Sequence, residues 1–171
     1  LPTGSPLQIG NTSNVGSARF DLNGYNQQVA GLVSDGTNMP MTVTNSSTTA
    51  STLTINNTSN LTYSGVISGN LSLVKQGTGQ QTLSGSSANT YTGTTTVSQG
   101  RLHLNKSSSG VVAVNGDLTI SGGCVTFGNN EQIADTATVT MSGSSSALNG
   151  TGPNVGHREN QVETIAKLII T

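Results

Sequence analysis

A four-residue pattern of Thr, an apolar residue, Ser and Gly occurs four times in this chain, starting at Thr62, Thr82, Thr119 and Thr140. Successive copies begin 20, 37 and 21 residues apart. That spacing fits a unit of roughly 20 residues with one copy missing from the longer interval, the kind of period that marks stacked solenoids. The expectation is a coil of short strands rather than a mixed globule.

Composition narrows what can stack in this way. Ser, Thr, Asn and Gly account for 89 of 171 residues, the apolar fraction is 32%, aromatics are 3% and Trp is absent, so a thick globular core is hard to build. Yet the apolar residues are gathered into brief alternating runs, which a disordered polar tract has no reason to do. A β-solenoid resolves the conflict, because each rung needs only a few inward aliphatics while ladders between rungs satisfy the amides. At 20 to 25 residues per rung, 171 residues give roughly seven or eight rungs and a rod of about 35 to 40 Å.

Along the chain, residues 1–19 read as a lead-in with one weak strand at Leu7 to Ile9, and residues 20–171 as the solenoid. In Ala18 to Leu22, Phe20 and Leu22 share one face; Asn23-Gly24 then turns the chain toward an apolar segment from Gln28 to Val33. Further strands are expected at Met41 to Thr44, Ser51 to Ile55, Leu61 to Tyr63, Leu71 to Val74, Gln81 to Leu83, Thr95 to Val97, Leu102 to Leu104, Val111 to Val114 and Leu118 to Ile120. In Asn160 to Thr171, Val162, Ile165 and Ile169 fit a helical stripe, but the β-branched content of Leu168-Ile169-Ile170 favours a strand. Three segments beginning at Asn26, Asn130 and Asn160 resemble one another, and their amides are read as corner closures bonded to neighbouring rungs, with a polar ladder offered to a ligand as the alternative.

The stretch from Lys75-Gln76-Gly77-Thr78-Gly79 to Asn89-Thr90-Tyr91-Thr92-Gly93 and on to Gly100-Arg101-Leu102 resembles the autotransporter-associated β-strand repeat of bacterial passenger domains. The best match runs over 75–104. The resemblance implies a right-handed single-stranded parallel β-helix on the cell surface or outside the cell, and it supplies no catalytic residues. Within it, Leu83, Val97, Leu102 and Leu104 are expected to point inward, with Tyr91 capping a corner.

Chemistry is sparse. The acids Asp21, Asp35, Asp117, Glu131, Asp135, Glu159 and Glu163 form only two close pairs, Glu131 with Asp135 and Glu159 with Glu163, and both read as solvated turns. His103 alternates with Leu102 and Leu104 and should face outward; His157 lies in a polar loop. Cys124 is the only cysteine, so no internal disulfide forms, and it reads as a small packing residue. No Gly-x-Ser-x-Gly turn or calcium-binding nonapeptide appears. Asn-x-Ser/Thr sequons, among them Asn45, Asn57, Asn60 and Asn70, are those a chain of this composition contains by chance.

No catalytic residue, metal ligand or cofactor site is therefore assigned. The six basic residues are scattered, so nucleic acid is not an expected partner, and no apolar stretch is long enough for a membrane span. The first expectation is a non-enzymatic stalk or adhesin-like segment, extracellular or on a bacterial cell surface, whose partner is a glycan or protein receptor. The alternatives are a fibre subunit that pairs with itself end to end and a carbohydrate-binding or carbohydrate-processing β-helix.

Overall fold

The computed structural model describes residues 4–10, 16–35, 40–149 and 163–171, and among them there is no helix. Short alternating runs bounded by Gly, Asn and Ser form the strands β1 (Leu7–Gly10), β2 (Ala18–Asp21), β3 (Gln27–Val29), β4 (Leu32–Asp35), β5 (Met41–Asn45), β6 (Ser51–Asn56), β7 (Leu61–Tyr63), β8 (Val66–Gly69) and β9 (Leu71–Gln76). The second half adds β10 (Gln80–Gly85), β11 (Thr90–Tyr91), β12 (Thr95–Val97), β13 (Arg101–Lys106), β14 (Leu118–Ile120), β15 (Cys124–Phe127), β16 (Thr138–Met141), β17 (Ala147–Asn149) and β18 (Lys167–Ile170).

Each strand bonds to the strand one turn away rather than to its neighbour in sequence. One face carries β3-β6-β9-β12-β14-β16-β18, a second carries β7-β10-β13-β15-β17 beside the separate pair β1-β4, and a third carries β2-β5-β8-β11. Every pairing between these strands is parallel. The chain is thus the expected parallel β-solenoid. It makes about six turns, however, not seven or eight. Gln27, Leu53, Leu73, Thr95, Leu118, Val139 and Leu168 occupy successive turns in one column, so a turn takes 20 to 29 residues. At ~4.8 Å per step the stack is roughly 30 Å long.

The core is a thread of aliphatic columns. Leu53, Leu73, Leu118 and Val139 are fully buried in one column, and Val29, Ile55, Val97 and Ile120 are buried in the next. Each such side chain contributes about 1.5–3 kcal/mol by leaving water. The inward positions expected in the repeat, Leu83, Val97, Leu102 and Leu104, are at most 1% exposed. Tyr91 is fully enclosed at a corner, with its hydroxyl 2.6 Å from Thr95 Oγ1. Asn23 (φ 48°) and Gly24 (φ 84°) both sit in the left-handed region, the conformation that an Asn-Gly turn supplies cheaply.

Two expected strands differ. The segment Gln28 to Val33 breaks at Ala30-Gly31 into β3 and β4, which lie on different faces. Val111 to Val114 is reduced to one bridge, Val114 to Ile133, because side-chain amides occupy backbone groups that a ladder would use: Asn89 Nδ2 donates to Ala113 O and Gln132 Nε2 to Val111 O. Strands β8, β11, β15, β16 and β17 have no counterpart among the expected ones, whereas β18 bears out the strand expected at Leu168-Ile169-Ile170.

Candidate functional site

With the aliphatics inward, function falls to the outer columns. On the seven-stranded face, Gln28, Thr54, Val74, Thr96, Thr119, Thr140 and Ile169 lie above one another. On the five-stranded face the outer columns are Gln80, Arg101, Cys124 and Ala147, and Thr62, Thr82, His103 and Thr126. The four Thr-apolar-Ser-Gly copies are split between these faces: Thr62 is in register with Thr82, and Thr119 with Thr140. The 37-residue interval is therefore a change of face and not a missing copy.

The titratable groups serve the architecture. His103 faces outward as expected, with Nδ1 2.9 Å from Thr126 Oγ1; burial lowers its pKa, the bond to Thr126 opposes that, and Arg101 adds to it. Asp21 is held at about 2, chiefly by the Ser46 hydroxyl and amide. Asp117 Oδ1 accepts from Thr138 N, and Asp35 Oδ2 from Gln8 Nε2. Glu131 and Glu163 are not solvated turns. The Glu163 carboxylate accepts from Gln132 N and Ile133 N, while Glu131 accepts from Thr164 N and Oγ1, so the two segments stitch each other. Burial raises the Glu163 pKa, the bonds from Gln132 and Ile133 oppose it, and repulsion from Glu131 and Asp135 adds to it. His157 and Glu159 lie outside the described residues. Among the described residues no group of three or more His, Cys, Asp or Glu is placed to hold a metal ion.

Two of the basic residues that lie scattered along the sequence are buried cations. Lys75 and Lys106 are 0% exposed. Lys75 Nζ donates to Gln76 O, Gly77 O and Gln99 O, closing a corner, and Lys106 Nζ donates to Gly65 O at 3.0 Å. Burial lowers each pKa to about 8. The signal was present: Lys75 follows Leu71 and Leu73, and Lys106 follows Leu102 and Leu104, at the inward period of two.

Side-chain amides, buried at Gln132 and Asn45 and exposed at Asn26, close corners as well. Gln132 Oε1 accepts from Lys106 N, Asn26 Oδ1 from Thr52 N, and Asn45 Nδ2 donates to Thr49 O and Asn70 O. In the third similar segment, Asn160, Gln161 and Val162 lie outside the described residues. Of the four sequon asparagines named above, Asn45 and Asn57 are buried, whereas Asn60 and Asn70 are exposed. Of the aromatics, Tyr63 and Tyr91 are buried, and Tyr25, 69% exposed, is the one large aromatic open to a sugar ring.

Cys124 corrects its expectation. Its neighbour Val125 takes the inward position, and Cys124 is partly exposed. It lines an open cleft of about 370 Å³ with Asn60, Thr78, Gln80, Gly100 and Arg101. Within its lining, Arg101 Nη1 donates to the adjacent Gln80 Oε1 at 3.3 Å, while the buried Arg101 Nε has no partner among the described residues.

Residues 73–104 match the family model of the passenger-associated-transport-repeat, which bears out the resemblance seen in the sequence. They run from β9 to β13, slightly more than one complete turn, since Leu73 is in register with Thr95. No curated protein and no solved structure matches the chain. The fold and the matched repeat together fit a segment of the autotransporter-passenger type.

Proposed function

We propose that this segment is a non-enzymatic stalk of a secreted or surface-displayed bacterial protein, holding other parts away from the cell and presenting its long sides for adhesion. The observation that carries the reading is the seven-stranded parallel ladder along the axis, in which each turn rests on the one before. A name that speaks of transported passengers supports a place outside the cell. The test is single-molecule pulling between the two ends. The reading expects rupture in successive steps, each releasing about 70–100 Å for a turn of 20 to 29 residues. Extension without resistance overturns it.

A second reading, self-assembly into fibres, is favoured by one observation. Leu168 and Ile170 stand in the inward columns yet are 49% and 74% exposed, and β18 is bonded on one side only. Such an edge takes a further strand, either from a second copy or from chain that continues past Thr171. Electron microscopy tests it: fibres that disappear in Ile170→Lys support assembly, and dispersed particles at high concentration exclude it.

A further inference from the structure

The described surface holds two arginines in different situations. Arg19 is paired with Asp21 at 2.7 Å. Arg101 has no acid beside it; its single side-chain hydrogen bond is the long one to Gln80 Oε1, and its Nε is enclosed without an acceptor. That enclosed donor is out of a ligand's reach, so it is through the Nη groups that Arg101 meets one in the cleft it lines. Gln80, which shares its column, is itself held in place: its backbone N–H donates to Asn60 Oδ1 and its Nε2 to Thr82 Oγ1. Arg101 therefore has a fixed partner on one side and an open cleft on the other.

The walls of that cleft are chemically uniform. Asn60, Thr78 and Gln80 supply amides and a hydroxyl, Gly100 leaves backbone bare, and Cys124 is the only soft side chain. Among the described residues, the Asn60 side-chain nitrogen and the Thr78 hydroxyl have no hydrogen-bond partner. No aromatic or branched aliphatic anchor is present, which disfavours a peptide held by apolar hot spots. Planar amides around one guanidinium suit a ligand with many hydroxyls and a single carboxylate, since the guanidinium fork matches carboxylate geometry.

We propose that the Arg101 cleft is a binding site for an acidic sugar, with the guanidinium taking the sugar carboxylate while Asn60, Thr78 and Gln80 take its hydroxyls. This deepens the adhesive side of the proposed function and rests on it; a stalk that resists pulling but binds no sugar would defeat this site alone.

The test is a ¹⁵N NMR titration of the intact chain with a trisaccharide that carries one galacturonic acid unit, following the Arg101 Nε–H resonance and the Cys124 amide. The expected result is saturable movement of both at millimolar ligand. Arg101→Gln should weaken binding about tenfold or more, the scale of a lost charge-assisted hydrogen bond, at an unchanged melting temperature. Three control ligands are titrated alongside: a neutral trisaccharide, acetate and triglutamate. Silence of both resonances, or equal binding by any control, overturns the proposal. A second readout guards against an invisible Nε–H: iodoacetamide should modify Cys124 more slowly under the acidic trisaccharide, in the native chain but not in Arg101→Gln.

Discussion

Gln81 reaches across the intervening strand to hold Leu32: its Oε1 accepts from Leu32 N at 2.9 Å and its Nε2 donates to Leu32 O at 3.0 Å. Strands β4 and β7 are adjacent but belong to different sheets, so the ladder is interrupted there. A side-chain amide, buried beneath Leu61, replaces the missing pair of backbone bonds. Ser34 Oγ does the same further along, accepting from Ser64 N at 2.6 Å.

Replacing Gln81 with Leu should therefore cost about 1–3 kcal/mol, since Leu32 would keep two buried groups without partners. Urea unfolding gives the magnitude, and hydrogen exchange should locate the loss at the Leu32 amide. An unchanged midpoint and unchanged exchange would show that water replaces the amide at no cost.

Stability should rise with pH between about 8 and 10. Lys75 and Lys106 have native pKa values near 8 against an ordinary 10.5, so in this window the unfolded chain binds more protons than the native one. The gain is on the order of 1–3 kcal/mol. Above pH 10 the trend should reverse, because burial raises the pKa of Tyr63 and Tyr91 and only the unfolded chain ionises them there. Melting temperatures from pH 7 to 11 check both signs; a flat profile contradicts the burial of the two lysines.

Mild acid should tighten the seat of β18. The Glu163 pKa is raised by burial and by Glu131 and Asp135, so protons are taken up by the native state before the unfolded one, and stability grows as pH falls through the raised native value toward 4.5. Exchange protection of residues 163–171 should rise from pH 7 to pH 5 and become insensitive to pH over that range in Glu163→Gln. Protection that falls on acidification in the native chain would reverse the sign.

Gly77→Ala should destabilise the chain by about 1–3 kcal/mol. Gly77 has φ 78°, and an added Cβ would strike the backbone oxygen of Asn57 one turn away. Gly110, also at positive φ (79°) but facing open space, is the control for conformation alone, and its alanine variant should lose less.

The solenoid was legible because alternation and glycine punctuation are local signals. Leu83, Val97, Leu102 and Leu104 declared themselves by period two and are buried. What stayed hidden depends on which residues meet across turns. Lys75 and Lys106 occupy inward positions that residue type argued against, because the carbonyls that satisfy Lys75 and Lys106 come from corners no periodicity displays. Glu131 and Glu163 are 32 positions apart, and nothing in the spacing announced that each would hold the other's segment. The Arg101 cleft likewise assembles Asn60, Gln80, Arg101 and Cys124 from four successive turns. Its only trace in the sequence was a cysteine beside the inward Val125, and that cysteine read as packing.

The parallel stagger carries one last consequence. Since a strand finds its partner a single coil earlier, an emerging thread can be captured piece by piece, each new loop templated by the surface just laid down. Folding of that kind works as a ratchet: every coil laid down hinders the thread from slipping back.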